Sequence, residues 1–182
     1  MLKKIAIFLV LTTMLGTLPL ESWGSRLASG RPAPPFLVES GSSKKLTLDM
    51  IRGRVIVLYY TSRNAMAENS RMKAELLKVY RTQPADVKKQ LFRLVVVDGS
   101  EASWPTMPLW KCKLNEHSKK EGFTIYADWQ RKMMADYRLK ENAKNFLVID
   151  KKGIIRYSAS GKIANGQYDK IKELLLTLVQ EG

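Results

Sequence analysis

Cys112 is the chain's only cysteine and His117 its only histidine, so any thiol or imidazole chemistry must involve these two. They lie in "PLWKCKLNEH", with Lys111 and Lys113 placed to favour a thiolate. A five-residue offset on a helix turns two side chains to different faces, which argues against a Cys-His nucleophilic pair. One Cys and one His separated by lysines do not make the close ligand array that a metal requires. A serine hydrolase lacks its Gly-x-Ser-x-Gly turn around Ser62, and a peroxidase would need a low-pKa cysteine near Thr61, where none stands. The residues imply no cofactor. Cys112 therefore reads as a structural or incidental thiol, and its use as a one-cysteine catalyst is the alternative.

The second place where chemistry could gather is "LYYTSRNAMAENSRM", residues 58–72, where a buried strand gives way to a helix. The free N–H groups and dipole of a helix N-terminus favour an anion. Arg63 beside Ser62 and Asn64 would add donors for a carboxylate, phosphate or sulfate. In the simpler reading, Ser62 or Asn64 caps the helix and Arg63 is solvated. Glu68, one turn in, would stabilise the helix and partly oppose an anionic ligand.

The elements that must position these residues follow from periodicity. After the Gly/Pro/Ser-rich lead "SRLASGRPAPP", "FLVESGSSKKLTLDMIRG" reads as two short strands around a Gly-Ser turn and then one helical turn. "RVIVLYY" is a continuous apolar run that suits a strand covered on both faces. A helix carrying Met66, Met72, Leu76 and Val79 should follow, to about Arg81. Pro84 opens a short segment, and "LFRLVVVD" repeats the buried-strand signature, giving a right-handed βαβ unit with parallel strands. The chain from Gly99 to Lys120 is expected to be irregular, with Trp104-Pro105 and Pro108 delaying any helix until about Leu109. "FTIYAD" should be a strand, and "WQRKMMADYRL" a helix burying Trp129, Met133 and Tyr137. "NFLVID" and "IIRYSAS" should form a hairpin with Gly153 at a positive-φ position. "QYDKIKELLLTLVQ" is an amphipathic helix with Tyr168, Ile171, Leu174, Leu175 and Leu178 on one side. The loop around "SWPTMPLWKCK" offers either an interaction patch built on Trp104 and Trp110 or a pair of tryptophans anchoring it to the core.

With 182 residues, 45% of them hydrophobic, the chain can bury one sizeable core. Residues 1–24 differ in character. Lys3 and Lys4 precede "IAIFLVLTTMLGTLPL" and the small residues of "ESWGS", the order of a secretory signal peptide cut near Gly24. An uncleaved anchor is the other reading, and it would be the chain's only tie to a membrane. Without residues 1–24 the formal charge of +14 becomes about +13. Such a charge favours an anionic envelope component or an acidic protein over nucleic acid, although a solvated lysine-rich surface explains it equally.

From about Pro32 to Gln180 the order β-α-β-α-β-β-α resembles the thioredoxin-like fold of exported proteins, an α/β architecture with a central mixed sheet, flanking helices and an N-terminal extension of short strands. "VIVLYYTSRNAMAENSRM" stands where those proteins have their strand, active-site turn and first long helix, and "YRLKENAKNFLVIDKKGIIRYSASGKI" resembles their second signature. More narrowly, "VVVDGSEA", "IYADWQRKMMADYRLKENAKNFLVIDKKG" and the terminal "GKI" resemble the YtfJ family of exported proteins. The resemblance implies a 25–182 domain in the periplasm. It also puts Asn64 and Ala67 at the positions of the redox cysteines, and Ala143 at that of a cis-proline. Neither replacement is a thiol, and a cis bond at Ala143 would cost roughly 2.5–4 kcal/mol, so it should be trans. The expected function is a redox-inactive binding or accessory module, with Ser62, Arg63, Asn64, Ala67 and Ala143 at the former active-site loop meeting an envelope protein or anionic component. A purely structural role in the envelope is indistinguishable from this by sequence.

Overall fold

The computed structural model describes residues 29–61 and 70–181. The segment 1–24, expected to be a signal peptide, and the junction residues Ser62, Arg63, Asn64, Met66, Ala67 and Glu68 lie outside them. One seven-stranded sheet runs through the molecule in the order β2-β1-β5-β4-β3-β6-β7. At its centre, β3 (Val55–Thr61) pairs in parallel with β4 (Leu91–Asp98), and β4 in parallel with β5 (Ile125–Asp128). The hairpin of β6 (Lys144–Ile149) and β7 (Ile155–Ser160) joins β3 antiparallel on the other side.

The central strands are mainly apolar because helices or chain cover both of their faces. Helices α1 (described over Ser70–Thr82), α3 (Met107–Glu121) and α5 (Gln167–Gln180) cover one face. The N-terminal lead and the short α4 (Lys132–Asp136) cover the other, where Phe36, Val38 and Ile51 pack with Leu58, Met133 and Tyr137. Helix α2 (Ala85–Gln90), opened by Pro84, leads directly into β4.

The two N-terminal strands, β1 (Leu37–Ser40) and β2 (Lys45–Thr47), form the expected hairpin, and the single helical turn expected after them is Asp49–Ile51, of the 3-10 type. The hairpin extends the main sheet, since Glu39 and Ser40 pair with Ala127 and Tyr126 of β5. The β6–β7 turn has Gly153 at φ +82°, and the Asp150 carboxylate accepts the N–H groups of Lys152 and Ile154, both at 2.9 Å. Tyr168, Ile171, Leu175 and Leu178 of α5 are buried, with Leu174 packed beside them.

Two segments depart from expectation. Only residues 99–106 of the supposedly irregular stretch are irregular, because α3 already starts at Met107. Pro108 sits in its first turn, where a missing N–H breaks no helical bond, and Gly122 at φ +73° closes it. Conversely, the helix expected over "WQRKMMADYRL" is only five residues long. Arg131 at φ 56° and Arg138 at φ 48° are left-handed and bound it on both sides. Met133 and Tyr137 are still buried, whereas Trp129 is only partly so.

Candidate functional site

Parallel strands bring their C-terminal ends to one edge of the sheet, and ligands of open α/β sheets bind outside that edge. Here Thr61, Asp98 and Asp128 end β3, β4 and β5 there, with Asp98 directly opposite Asp128. Thr61 is the last described residue before the junction.

Beneath this edge lies a polar network. The Tyr60 hydroxyl donates to Asp128 Oδ2 at 3.2 Å, and the Met134 N–H donates to the same oxygen at 3.0 Å. Asp128 is 2% exposed, and burial pushes its carboxyl above the ordinary value, with the Met134 N–H and the Tyr60 hydroxyl pulling the other way. Burial first, and then the charges of Asp128 and Asp98, drive the Tyr60 phenol upward, which keeps it a protonated donor. Asp98 holds the Ser100 N–H at 3.0 Å through Oδ1 and the Arg131 Nε at 3.3 Å through Oδ2. Arg131 also pairs with Glu141, the main reason its guanidinium is held more strongly protonated. Its left-handed backbone thus turns a cation toward two carboxylates. Gly99 follows Asp98 because a Cβ there would lie 2.5 Å from Trp129 Cε3, and its N–H donates to the Asp128 carbonyl at 3.2 Å.

Ala143 adjoins this edge. It is buried, the peptide bond preceding it is trans, and its carbonyl accepts Asn145 Nδ2 at 3.3 Å. Asn145 is 1% exposed, and Lys144 beside it pairs with Thr61 across the β3–β6 ladder. Cys112 is exposed on α3, away from this cluster in the chain, with Sγ 3.7 Å from Glu116 Oε1. No hydrogen bond joins it to His117 among the described residues. Trp104 is 86% exposed and Leu109 58%, so the loop after β4 presents Trp104 to solvent, while Trp110 is partly buried. Among the described residues no group of three or more His, Cys, Asp or Glu side chains could hold a metal, and no helix is long and apolar enough to cross a membrane.

Sequence patterns point to the junction rather than to Tyr60, Asp98, Asp128 and Arg131. The available signal was that two predicted strands, "LFRLVVVD" and "FTIYAD", both end in aspartate at the edge where ligands bind.

No protein-family model matches the chain, and no curated protein matches it. Solved structures do. The thiol peroxidase of Chromobacterium violaceum superposes with a TM-score of 0.62 at 12% identity, covering 87% of this chain and 91% of its own. The thioredoxin domain of a thiol-disulfide oxidoreductase from Bacteroides vulgatus gives 0.57 at 16%, covering 82% and 99%. The exposed lipoprotein thioredoxin of Streptococcus pneumoniae gives 0.55 at 18%, covering 80% and 100%. The fold is thioredoxin-like. At these identities the likeness carries the scaffold and not the chemistry.

Proposed function

We propose that the chain is an exported thioredoxin-like protein of the YtfJ type that binds rather than exchanges disulfides. It would be a module of the periplasm or cell envelope whose working face is the C-terminal edge of the sheet. The observation that carries this reading is the placement of the only thiol. Disulfide exchange by this scaffold needs an attacking and a resolving cysteine. The segment after β3 reads Ser-Arg-Asn-Ala-Met-Ala-Glu-Asn, and Cys112 stands on α3 beside a carboxylate. The segment 1–24 supports export, and the basic charge of +14 supports an acidic protein or anionic envelope component as the partner.

The test has two arms. In the first, the purified protein is assayed for dithiol-driven reduction of insulin beside Cys112→Ser. The expected result is no turnover in either, and a turnover lost in Cys112→Ser would establish a one-cysteine enzyme instead. In the second, cross-linking in intact envelope extracts should capture a specific partner that an Arg63→Ala, Asn64→Ala double variant loses. A partner captured equally by the double variant would refute the junction as the binding face.

A further inference from the structure

The second strand of the parallel centre carries an arginine on a face that the helices cover. Arg93 stands opposite Val57 in the β3–β4 register and therefore shares a face with Val57, one step from Tyr59, on the side of α1 and α5. Charged side chains are rarely placed there unless they serve a partner. The guanidinium lies over the Phe123 ring, 3.5 Å from its centroid. Burial lowers its pKa, with the Glu121 charge among the influences opposing that shift. Stacking uses the face of a guanidinium and leaves its N–H edge to meet a planar anion.

A cavity of about 440 Å³ opens over this arginine, walled by Val57, Tyr59, Leu76, Tyr80 and Leu175. The volume falls within the roughly 300–1,000 Å³ of small-molecule sites. Val57 and Tyr59 keep accessible surface in the middle of the central strand, while Leu58 and Tyr60, facing the other way, are 0% exposed. The chain thus leaves apolar surface at its own centre uncovered, and covering it is favourable. Burial, acting against the charge of Arg93, holds the Tyr59 phenol protonated, as a second donor near the cation. The Arg93 cation, the Tyr59 and Tyr80 phenols and an apolar wall match a ligand with a single planar anionic head and a hydrocarbon body.

We propose that this cavity binds a fatty monocarboxylate, the carboxylate on Arg93 and the chain among Leu76, Tyr80 and Leu175. The site is separate from the sheet edge: Val57 lies four residues before Thr61, about 13 Å along the strand. The proposal therefore does not rest on the binding-module reading.

The test is titration of the purified full chain with sodium decanoate below its micelle concentration, with decanol in parallel, followed by calorimetry and by Tm. Decanoate should bind with one-to-one stoichiometry and about tenfold more tightly than decanol, the fold-change expected from a charge-assisted pair. Arg93→Met should remove that difference and leave decanol unchanged. Val57→Phe, which fills the cavity, should weaken both. Equal binding of the two ligands, or decanoate affinity unchanged in Arg93→Met, overturns the proposal. So does absence of decanoate binding, including the case of a dimer in solution that covers the cavity. Should Arg93→Met fail to fold, Arg93→Lys, which keeps the charge but loses the fork, and Val57→Phe decide the matter by the same comparison.

Discussion

Replacing Tyr60 by Phe removes a single hydroxyl from the polar network under the sheet edge and leaves the ring, so no cavity is created. The lost interaction is the bond to Asp128 Oδ2, between groups that are 0% and 2% exposed. Hydrogen bonds to charged groups contribute about 1.5–3 kcal/mol. At 3.2 Å this one is longer than the usual O–H···O range, which places it at the low end, about 1.5–2 kcal/mol. Asp128 keeps the Met134 N–H at 3.0 Å and is not left without a partner. For a domain of this size the loss corresponds to a Tm lower by about 3–8 °C, with an unchanged urea m-value. In an Asp128→Asn background the same hydroxyl meets a neutral acceptor, and its removal should cost about 1 kcal/mol. Thermal and urea melts of the four proteins give the comparison. A Tyr60→Phe melting point within 1 °C of the parent, or an equal cost in both backgrounds, would refute the claim that the buried charge is what makes this bond strong.

Burial raises the Asp128 carboxyl above 3.8, so between 3.8 and the raised folded value the folded chain holds more protons than the unfolded one, and stability from this group falls as pH rises through that window. Acidification from pH 7 to pH 4 should therefore favour the parent relative to Asp128→Asn in paired urea midpoints, and the opposite trend would sink the argument. At Gly41 a Cβ would lie 2.3 Å from the Lys111 carbonyl and 2.5 Å from the Asn115 nitrogen, both backbone atoms of α3 that cannot swing away. Gly41→Ala should cost about 1–3 kcal/mol or more and speed hydrogen exchange where β1 joins β5, and a neutral effect would show that the hairpin and α3 are not held this close.

The centre of the fold was legible because β3 is apolar throughout and β4 is apolar apart from Arg93 and its terminal Asp98, the pattern of strands covered on both faces. The β6–β7 hairpin was legible because Gly153 marks a backbone position that other residues avoid. Helix α3 was obscured by Pro108, read as a breaker although it sits in the first turn, and by a weak apolar stripe in which Leu114 is the one buried residue. The brevity of α4 could not be read, since Arg131 and Arg138 give no sign in their type that they adopt positive φ. Asp98 and Asp128 were visible singly as strand-ending acids. Their apposition depends on the β4–β5 register, which no local pattern encodes. Arg93 is a charge within an apolar run, a signal the sequence holds, but a cavity beside it depends on how α1 and α5 leave the sheet.

The loop before β6 shows how such an edge keeps its shape without the cis-proline that the resemblance to redox-active relatives places at Ala143. A proline would constrain the backbone covalently through its ring. Here the constraint comes from Asn145, whose carboxamide is fully used. Its oxygen accepts the Lys140 N–H at 2.9 Å and the Ser160 hydroxyl at 2.6 Å, and its nitrogen donates to the carbonyls of Lys140 at 3.0 Å and Ala143 at 3.3 Å. A buried amide with every partner made is costly to unpair, so the loop is held as one unit with the start of β6 and with β7. The consequence reaches recognition. With the Ala143 methyl buried and one lone pair of its carbonyl engaged by Asn145, this part of the edge offers an extended peptide less backbone to pair with. It offers the ion pair of Arg131 with Glu141, both partly exposed, and the charge of Asp98 behind it. A partner docking on this edge under the proposed function would meet charges first, and weakening of its binding by salt is the signature that would distinguish such an interface from one built on backbone pairing.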